Sequence, residues 1–224
     1  LPNGKEVADG LAEFQAGYSA PGSINATGVR LDHSLTRNVK FFGRYNDTPS
    51  SSLTRRTSNL AIVNGISSRV RTAMAGVTAA LTPHITLDVR AGGTWNNGTL
   101  EAYMDDFGGA TPLKLEDVPG LDEKGQVQFG FIYGPTPRLT LDPRSTRQKQ
   151  ANTTTGLAVV AGRHTIKMGV DYRRTDAGVT RSSLSAFAYY FTGDEVRQNK
   201  PGASINATTF SMSRGGGDAQ QIFT

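Results

Sequence analysis

The feature that most constrains this chain is a two-residue alternation across residues 163–174, where Ile166, Met168, Val170 and Tyr172 are separated by Lys167, Gly169, Asp171 and Arg173. Successive side chains of an extended strand point to opposite faces, so the pattern gives one apolar and one polar face and does not suit a helix. Residues 152–160 just upstream are rich in Thr and Val, and Ala161-Gly162-Arg163 supplies a tight turn containing glycine, so the two stretches read as a β-hairpin.

The same unit occurs twice more. Ile85, Leu87, Val89, Ala91, Gly93 and Trp95 share one face of a long stretch. Ala73, Ala75, Val77, Ala79 and Leu81 form the apolar row of its partner across Thr82-Pro83-His84. Nearer the start, Val29, Leu31, His33 and Leu35 pair with Val39, Phe41, Gly43 and Tyr45 across Thr36-Arg37-Asn38. Helical spacing is legible only over residues 6–16.

The connections between hairpins are unequal. Residues 47–68 and 104–146 read as connecting segments, both longer than the roughly 12–15 residues of ordinary structureless loops. Short turns at one end and long loops at the other are the asymmetry of an outer-membrane barrel, whose strands alternate apolar-out with polar-in. The expected fold is all-β: a partial antiparallel transmembrane β-barrel wall, about six to eight strands of a larger barrel, with long extracellular loops. Phe41 and Tyr45 near the outer end of one strand, Trp95 on another and Tyr172 on a third are candidate membrane-interface aromatics. A soluble β-sandwich or β-solenoid shares the alternation, but its strands are commonly short, whereas residues 85–103 continue with no breaker before Gly92-Gly93.

Composition narrows the function classes. The chain has no cysteine, which removes disulfide scaffolds, thiolate metal sites and cysteine nucleophiles. His33, His84 and His164 are too dispersed for a metal site. The net charge is +5, but the basic residues are scattered and not interleaved with aromatics, so no nucleic-acid partner is expected. No run of about 18 apolar residues exists to form a membrane-spanning helix. Leu1-Pro2-Asn3-Gly4-Lys5 is not a signal peptide.

Several short signatures then take on meaning together. Arg30-Leu31-Asp32-His33, Phe42-Gly43-Arg44-Tyr45, Asp106-Phe107-Gly108-Gly109 and the run from Gly162 to Arg173 resemble TonB-dependent outer-membrane receptors of the Oar-like type. These carry a carboxypeptidase-regulatory-like domain, a plug and a large barrel of about 22 strands. The resemblance implies that residues 1–224 are an internal barrel segment, with plug, regulatory-like domain and remaining strands absent. It further implies localisation in the bacterial outer membrane and uptake of a bulky nutrient. The implied partners are outer-membrane lipid, an unidentified nutrient, and the TonB complex acting through the N-terminal part. A surface-exposed β-rich adhesion or carbohydrate-binding module and a passive porin are the alternatives.

No catalytic or cofactor-binding constellation is legible. Asp105-Asp106 and Glu116-Asp117 are adjacent carboxylates without the spacing of a calcium loop, and Gly215-Gly216-Gly217 lacks the Lys and Ser/Thr of a phosphate loop. No Gly-x-Ser-x-Gly elbow positions a nucleophile. The chain is therefore expected not to be an enzyme. The residues expected to meet a ligand are Phe107, Phe129, Phe131 and Tyr133, on the long excursion where residues 127–133 suggest a short strand.

Overall fold

The computed structural model describes residues 2–8, 11–57, 59–114, 125–131, 138–181, 184–198, 200, 202–210, 213–214 and 220–222. The first strands are β1 (Glu6–Ala8), β2 (Leu11–Ala12), β3 (Gly22–Ile24), β4 (Thr27–Ser34), β5 (Val39–Arg56), β6 (Asn59–Thr82) and β7 (Ile85–Met104). A 3-10 turn at Phe107–Gly109 precedes β8 (Gln126–Phe131), β9 (Arg138–Leu141), β10 (Arg144–Ala161) and β11 (His164–Arg181). Then come β12 (Leu184–Tyr190), the short helix α1 (Gly193–Arg197), β13 (Ala203–Phe210), β14 (Ser213–Arg214) and β15 (Gln220–Ile222). No helix among the described residues is long and apolar enough to cross a membrane, which says nothing about crossing by strands.

The main sheet is an antiparallel wall in the order β11-β10-β7-β6-β5, with β3 and β4 pairing in succession along the far side of β5. All three expected hairpins are present, closed by tight turns at one end. Thr36 Oγ1 accepts from the N–H groups of Asn38 and Val39, and Thr82 Oγ1 accepts from His84 N–H. Gly162 supplies the left-handed residue of the third turn at φ +60°, a conformation open to glycine at little steric cost. Described pairing on the outer edge of β11 is confined to Gly178 and Val179 against β14, so the wall is open and not a closed barrel.

Register fixes two faces. One row across the wall runs His33, Phe41, Val77, Val89, Thr155 and Val170. The next runs Leu31, Gly43, Ala75, Ala91, Thr153 and Tyr172. This apolar face is uncovered: Leu31 is 65% and Val170 70% exposed. The accessible surface of 15004 Å² compares with about 9,900 Å² for a compact soluble monomer of this length. Such a face requires a non-aqueous neighbour, and alternating strands set it against lipid.

The buried cluster lies instead at the end remote from the tight turns, the outer end. Ile62 and Ala102 there meet Val127, Leu141 and Ala186 of a second sheet ordered β15-β13-β12-β8-β9, in which β12 and β8 are parallel. Ile62 and Ala102 have the parity of the polar face, so the second sheet packs on that face. Ala61, Ile62 and Val63 are buried consecutively, which means that both faces of β6 are covered here. Arg55 clamps the same end, donating to both carboxylate oxygens of Asp105 at 2.8 and 2.6 Å and to Leu60 O at 2.9 Å.

Two expectations are overturned. Residues 47–68 are not a loop: β5 runs to Arg56 and β6 begins at Asn59. The Ser, Thr and Arg side chains that suggested a loop stand on a wall that continues past the lipid, where both faces can be wet. Pro49 is tolerated because its carbonyl, and hence its missing donor, points to Asn25 at the break between β3 and β4. Residues 6–16 hold β1 and β2, not a helix. The second excursion does leave the wall, and of the strand expected at residues 127–133, residues 127–131 lie in β8 and 132–133 lie outside the described residues.

Two outcomes follow. Val77→Arg, on the lipid face near mid-height, is expected to cost about 2–4 kcal/mol in bilayer refolding titrations, whereas Gln150→Arg on the polar face costs less than about 1 kcal/mol. Asp105 is held below the usual carboxylate range by its hydrogen bonds from Arg55. Its contribution is thus fully present above the ordinary Asp value of about 3.9 and is lost as pH falls through the depressed folded value. Protease protection of the loop sheet should fall over that acid window, and Asp105→Asn, weakening the clamp by about 1–3 kcal/mol, should remove that part of the pH dependence.

Candidate functional site

The polar face carries a hydrogen-bonded lining built by strand parity. Phe41 and Phe42 are adjacent, so one faces lipid and the other the polar side. The Phe42 ring lies over Gly76, where a Cβ would collide with it, so glycine provides the ring's seat. The Arg30 guanidinium stands 4.7 Å from the Phe42 centroid and that of Arg90 6.0 Å, placing cations from β4 and β7 around one aromatic ring. Each arginine is tied to a carboxylate two residues along its own strand: Arg30 donates twice to Asp32 at 2.7 Å, and Arg90 lies 2.8 Å from Asp88. Thr78 donates its hydroxyl to Asp88 at 2.8 Å, locking β6 to β7.

Further toward the outer end amides and hydroxyls join the lining. Arg44 Nε donates to Asn46 Oδ1 at 3.2 Å, Asn46 Nδ2 donates to Thr72 Oγ1 at 2.9 Å, and Ser68 donates to Asn96 at 3.0 Å. A groove of about 430 Å³ runs here, bordered by Thr27, Arg44, Asn46, Thr48 and Thr72. Ion pairs, amides and hydroxyls keep this face wettable, and Arg44 stands directly opposite Arg30, which suits a lumen that passes or holds hydrated solutes. Among the described residues no three His, Asp or Glu side chains gather to hold a metal.

The aromatic residues expected to meet a ligand are dispersed. Phe107 packs edge-on against Phe14 at 6.1 Å and carries the Arg55 guanidinium 4.1 Å above its ring. Phe129 packs on the buried cluster. Phe131 stacks on Tyr190 at 5.5 Å, and burial pushes the Tyr190 phenol up. Tyr133 lies outside the described residues. Arg30 and Phe42 stood out in the sequence only within the signature motifs and Arg90 not as a site residue, although the adjacent Phe41-Phe42 pair in an alternating strand was the signal that could have found their meeting.

Of the interface aromatics, Tyr45, Trp95 and Tyr172 stand on the lipid face at neighbouring levels of the upper apolar band. They are 43%, 40% and 62% exposed. Phe41 departs from expectation: it is the third residue of β5, near the tight-turn end, because that strand continues far beyond Tyr45.

The family model for the outer membrane beta barrel domain matches residues 1–215. No curated protein matches the chain. Among solved structures, the chain is similar to the outer membrane transporter YddB from Escherichia coli, at 12% identity and a TM-score of 0.34, covering 86% of this chain and 30% of that one. The chain thus spans less than a third of that structure's length. Its two chemically distinct wall faces have the arrangement that the family's name describes, and the chain belongs to the outer membrane beta barrel domain family.

Proposed function

We propose that this chain is part of the barrel of a TonB-dependent receptor of the Oar-like type, which takes up a bulky nutrient across the outer membrane and performs no catalysis in this segment. The observation that carries the reading is the open wall with its inward-folded cap. Six long strand positions, β3 with β4, then β5, β6, β7, β10 and β11, form a continuous meander whose two outer edges call for further strands. A barrel well beyond six strands has a lumen wider than side chains alone fill. The second sheet packs on the polar face at the mouth, so it stands beside the route a solute would take. The signatures around Phe42-Gly43-Arg44-Tyr45 and Gly162 to Arg173 support the same reading.

In this reading Tyr45, Trp95 and Tyr172 anchor the outer interface and Phe41 the inner one. Phe107, Phe129 and Phe131 belong to the mouth, where Phe131 stacks on Tyr190. The uncovered apolar face counts against a soluble adhesion or carbohydrate-binding module. A passive porin differs in lacking a plug and energy coupling.

The test is nutrient uptake by cells producing the full-length protein, with and without the TonB energy coupler. Uptake should fall to background without the coupler while surface binding persists. Uptake indifferent to the coupler and linear in solute concentration would replace the receptor by the porin.

A further inference from the structure

Strand register divides the polar face into rows of different charge. One row runs Arg30, Arg44, Met74, Gly92, Asn152 and Arg173 and contains no acid. The next row toward the outer end, Gly28, Asn46, Thr72, Thr94, Gln150 and Thr175, has neither acid nor base. The next row toward the tight turns carries Asp32, Arg90 and Asp171 along with Phe42. Arg30 and Arg90 are answered by Asp32 and Asp88. Among the described residues, Lys40, Arg44, Lys167 and Arg173 make no ion pair, against Asp171 as the one unpaired acid on this face of the wall. Cationic side chains that line a water-filled passage favour anions.

Arg44 is the cation of this set with a built surround. Its Nε donates to Asn46 Oδ1 at 3.2 Å, and Asn46 Nδ2 donates in turn to Thr72 Oγ1 at 2.9 Å, so the amide oxygen is held toward the guanidinium. A Cβ at Gly28, directly across from Asn46, would stand 2.6 Å from that same oxygen, so the glycine leaves the space in which the amide sits. With Nε engaged, the two terminal amino groups of Arg44 remain as a fork, the geometry that meets a carboxylate or phosphate through two parallel hydrogen bonds. Arg44 borders the groove of about 430 Å³, whose other walls include Asn46, Thr48, Val70 and Thr72. Arg30 stands directly opposite Arg44, and like charges at opposite positions disfavour each other, so an anion settling beside the two relieves a repulsion built into the wall. Arg173 lies four strands from Arg44, about 19 Å along the sheet at ordinary strand spacing. It extends the positive sign of the row without reaching the same group.

We propose that Arg44 is the centre of an oxyanion-binding subsite on the lumen wall, and that the solute taken up carries a carboxylate or phosphate on a hydroxylated body. The anion meets the Arg44 fork beside Arg30, and the body lies outward against the hydroxyls and amides of the groove. Asn46, Thr72 and Gly28 are positioning residues that aim the guanidinium. An uncharged solute would leave the repulsion between Arg30 and Arg44 unrelieved, and a cationic one would add to it. The assignment rests on the uptake reading above, with the polar face as the wall that a solute passes. Binding to the purified protein needs no energy coupler, so loss of the anion preference and loss of coupled uptake are separate results.

The experiment titrates the full-length protein in phosphatidylcholine nanodiscs with glucose 6-phosphate, glucuronate and glucose, and reads binding by calorimetry. The three probes share a hydroxylated ring and differ in the anionic group, so a preference between the first two tells phosphate from carboxylate. At least one anionic probe should bind about tenfold or more tightly than glucose, and Arg44→Gln should erase that preference, since hydrogen bonds to a charged group are worth about tenfold or more. Gly28→Ala, which displaces the Asn46 amide, should weaken the anionic probes and leave glucose unchanged, a split that a merely structural role of the glycine would not give. Lys149→Gln, on the opposite face, should change binding by less than about twofold, because exposed charges beyond a Debye length are screened. If Arg44→Gln does not assemble, the ratio of anionic probe to glucose with the unmodified protein, and its fall with added salt, decides the matter. Glucose bound as tightly as both anionic probes, no binding of any of the three, or an anion preference that survives Arg44→Gln would each overturn the proposal.

Discussion

Every structural property of this chain depends on the need to pair backbone N–H and C=O groups where no water can reach them. A strand crossing hydrocarbon must give both its edges to neighbours, since each unsatisfied group costs several kcal/mol. The continuous ladders from β4 to β11 meet that demand on both edges of β5, β6, β7 and β10 over the height of the apolar face. Strand pairing also forces side chains into rows, so the identity of one residue decides which solvent its neighbours across the sheet must tolerate. Val89 and Val77 can share lipid only because Asp88 and Thr78 share the opposite face.

The polar face meets a second requirement by a different route. Arginines are tied to acids two residues along the same strand, as Arg30 is to Asp32 and Arg90 to Asp88, so the ion pairs need no cross-strand partner of opposite charge. Across the strands, the Phe42 ring stands opposite Asp32, Thr78 opposite Asp88, Gly76 opposite Arg90 and Arg44 opposite Arg30. At the outer end this chemistry gives way to Ile62 and Ala102, and the polar face becomes the seat of a small packed core. The change from wettable lining to packing surface is what lets the loop sheet fold inward. The Arg55 and Asp105 pair fixes that junction, with side chains only 17% and 29% exposed.

The wall within the apolar band was legible in the sequence because period-two alternation has only one reading when its apolar rows run for several residues on each of several segments. Ile166 to Tyr172 and Ile85 to Trp95 lie in strands at the expected parity, and all three turns stand where Thr36, Pro83 and Gly162 suggested. The upper wall was not legible. Once both faces can be wet, alternation loses its meaning, and Ser50-Ser51-Ser52 looks like a loop although each serine is paired in β5. Residues 6–16 misled for the opposite reason, since apolar residues in a short irregular ribbon fall at helical spacing by composition. The polar-face site was half visible: the alternation gave the face, but the meeting of Arg30, Phe42 and Arg90 depends on the register of four strands and on Gly76 opposite the ring.

Register in such a wall is a stringent specification, because a slip of one residue would turn every lipid-facing side chain into the lumen. The irregularities in these pairings fall where a slip can be absorbed. One lies at Arg55/Arg56, beside the upper connection, and the other at Ala80/Thr82, beside the tight turn. Between them the ladders of β5, β6 and β7 have no break in register, and β10 pairs with both its neighbours without one. Bulges at both ends adjust twist and turn geometry while leaving the apolar band in a single parity. The same parity, carried past the band without a slip, keeps Arg69 and Arg147, both opposite Asn97, on the side of the apolar rows, so the continuity that satisfies the backbone also fixes the face on which each charge stands.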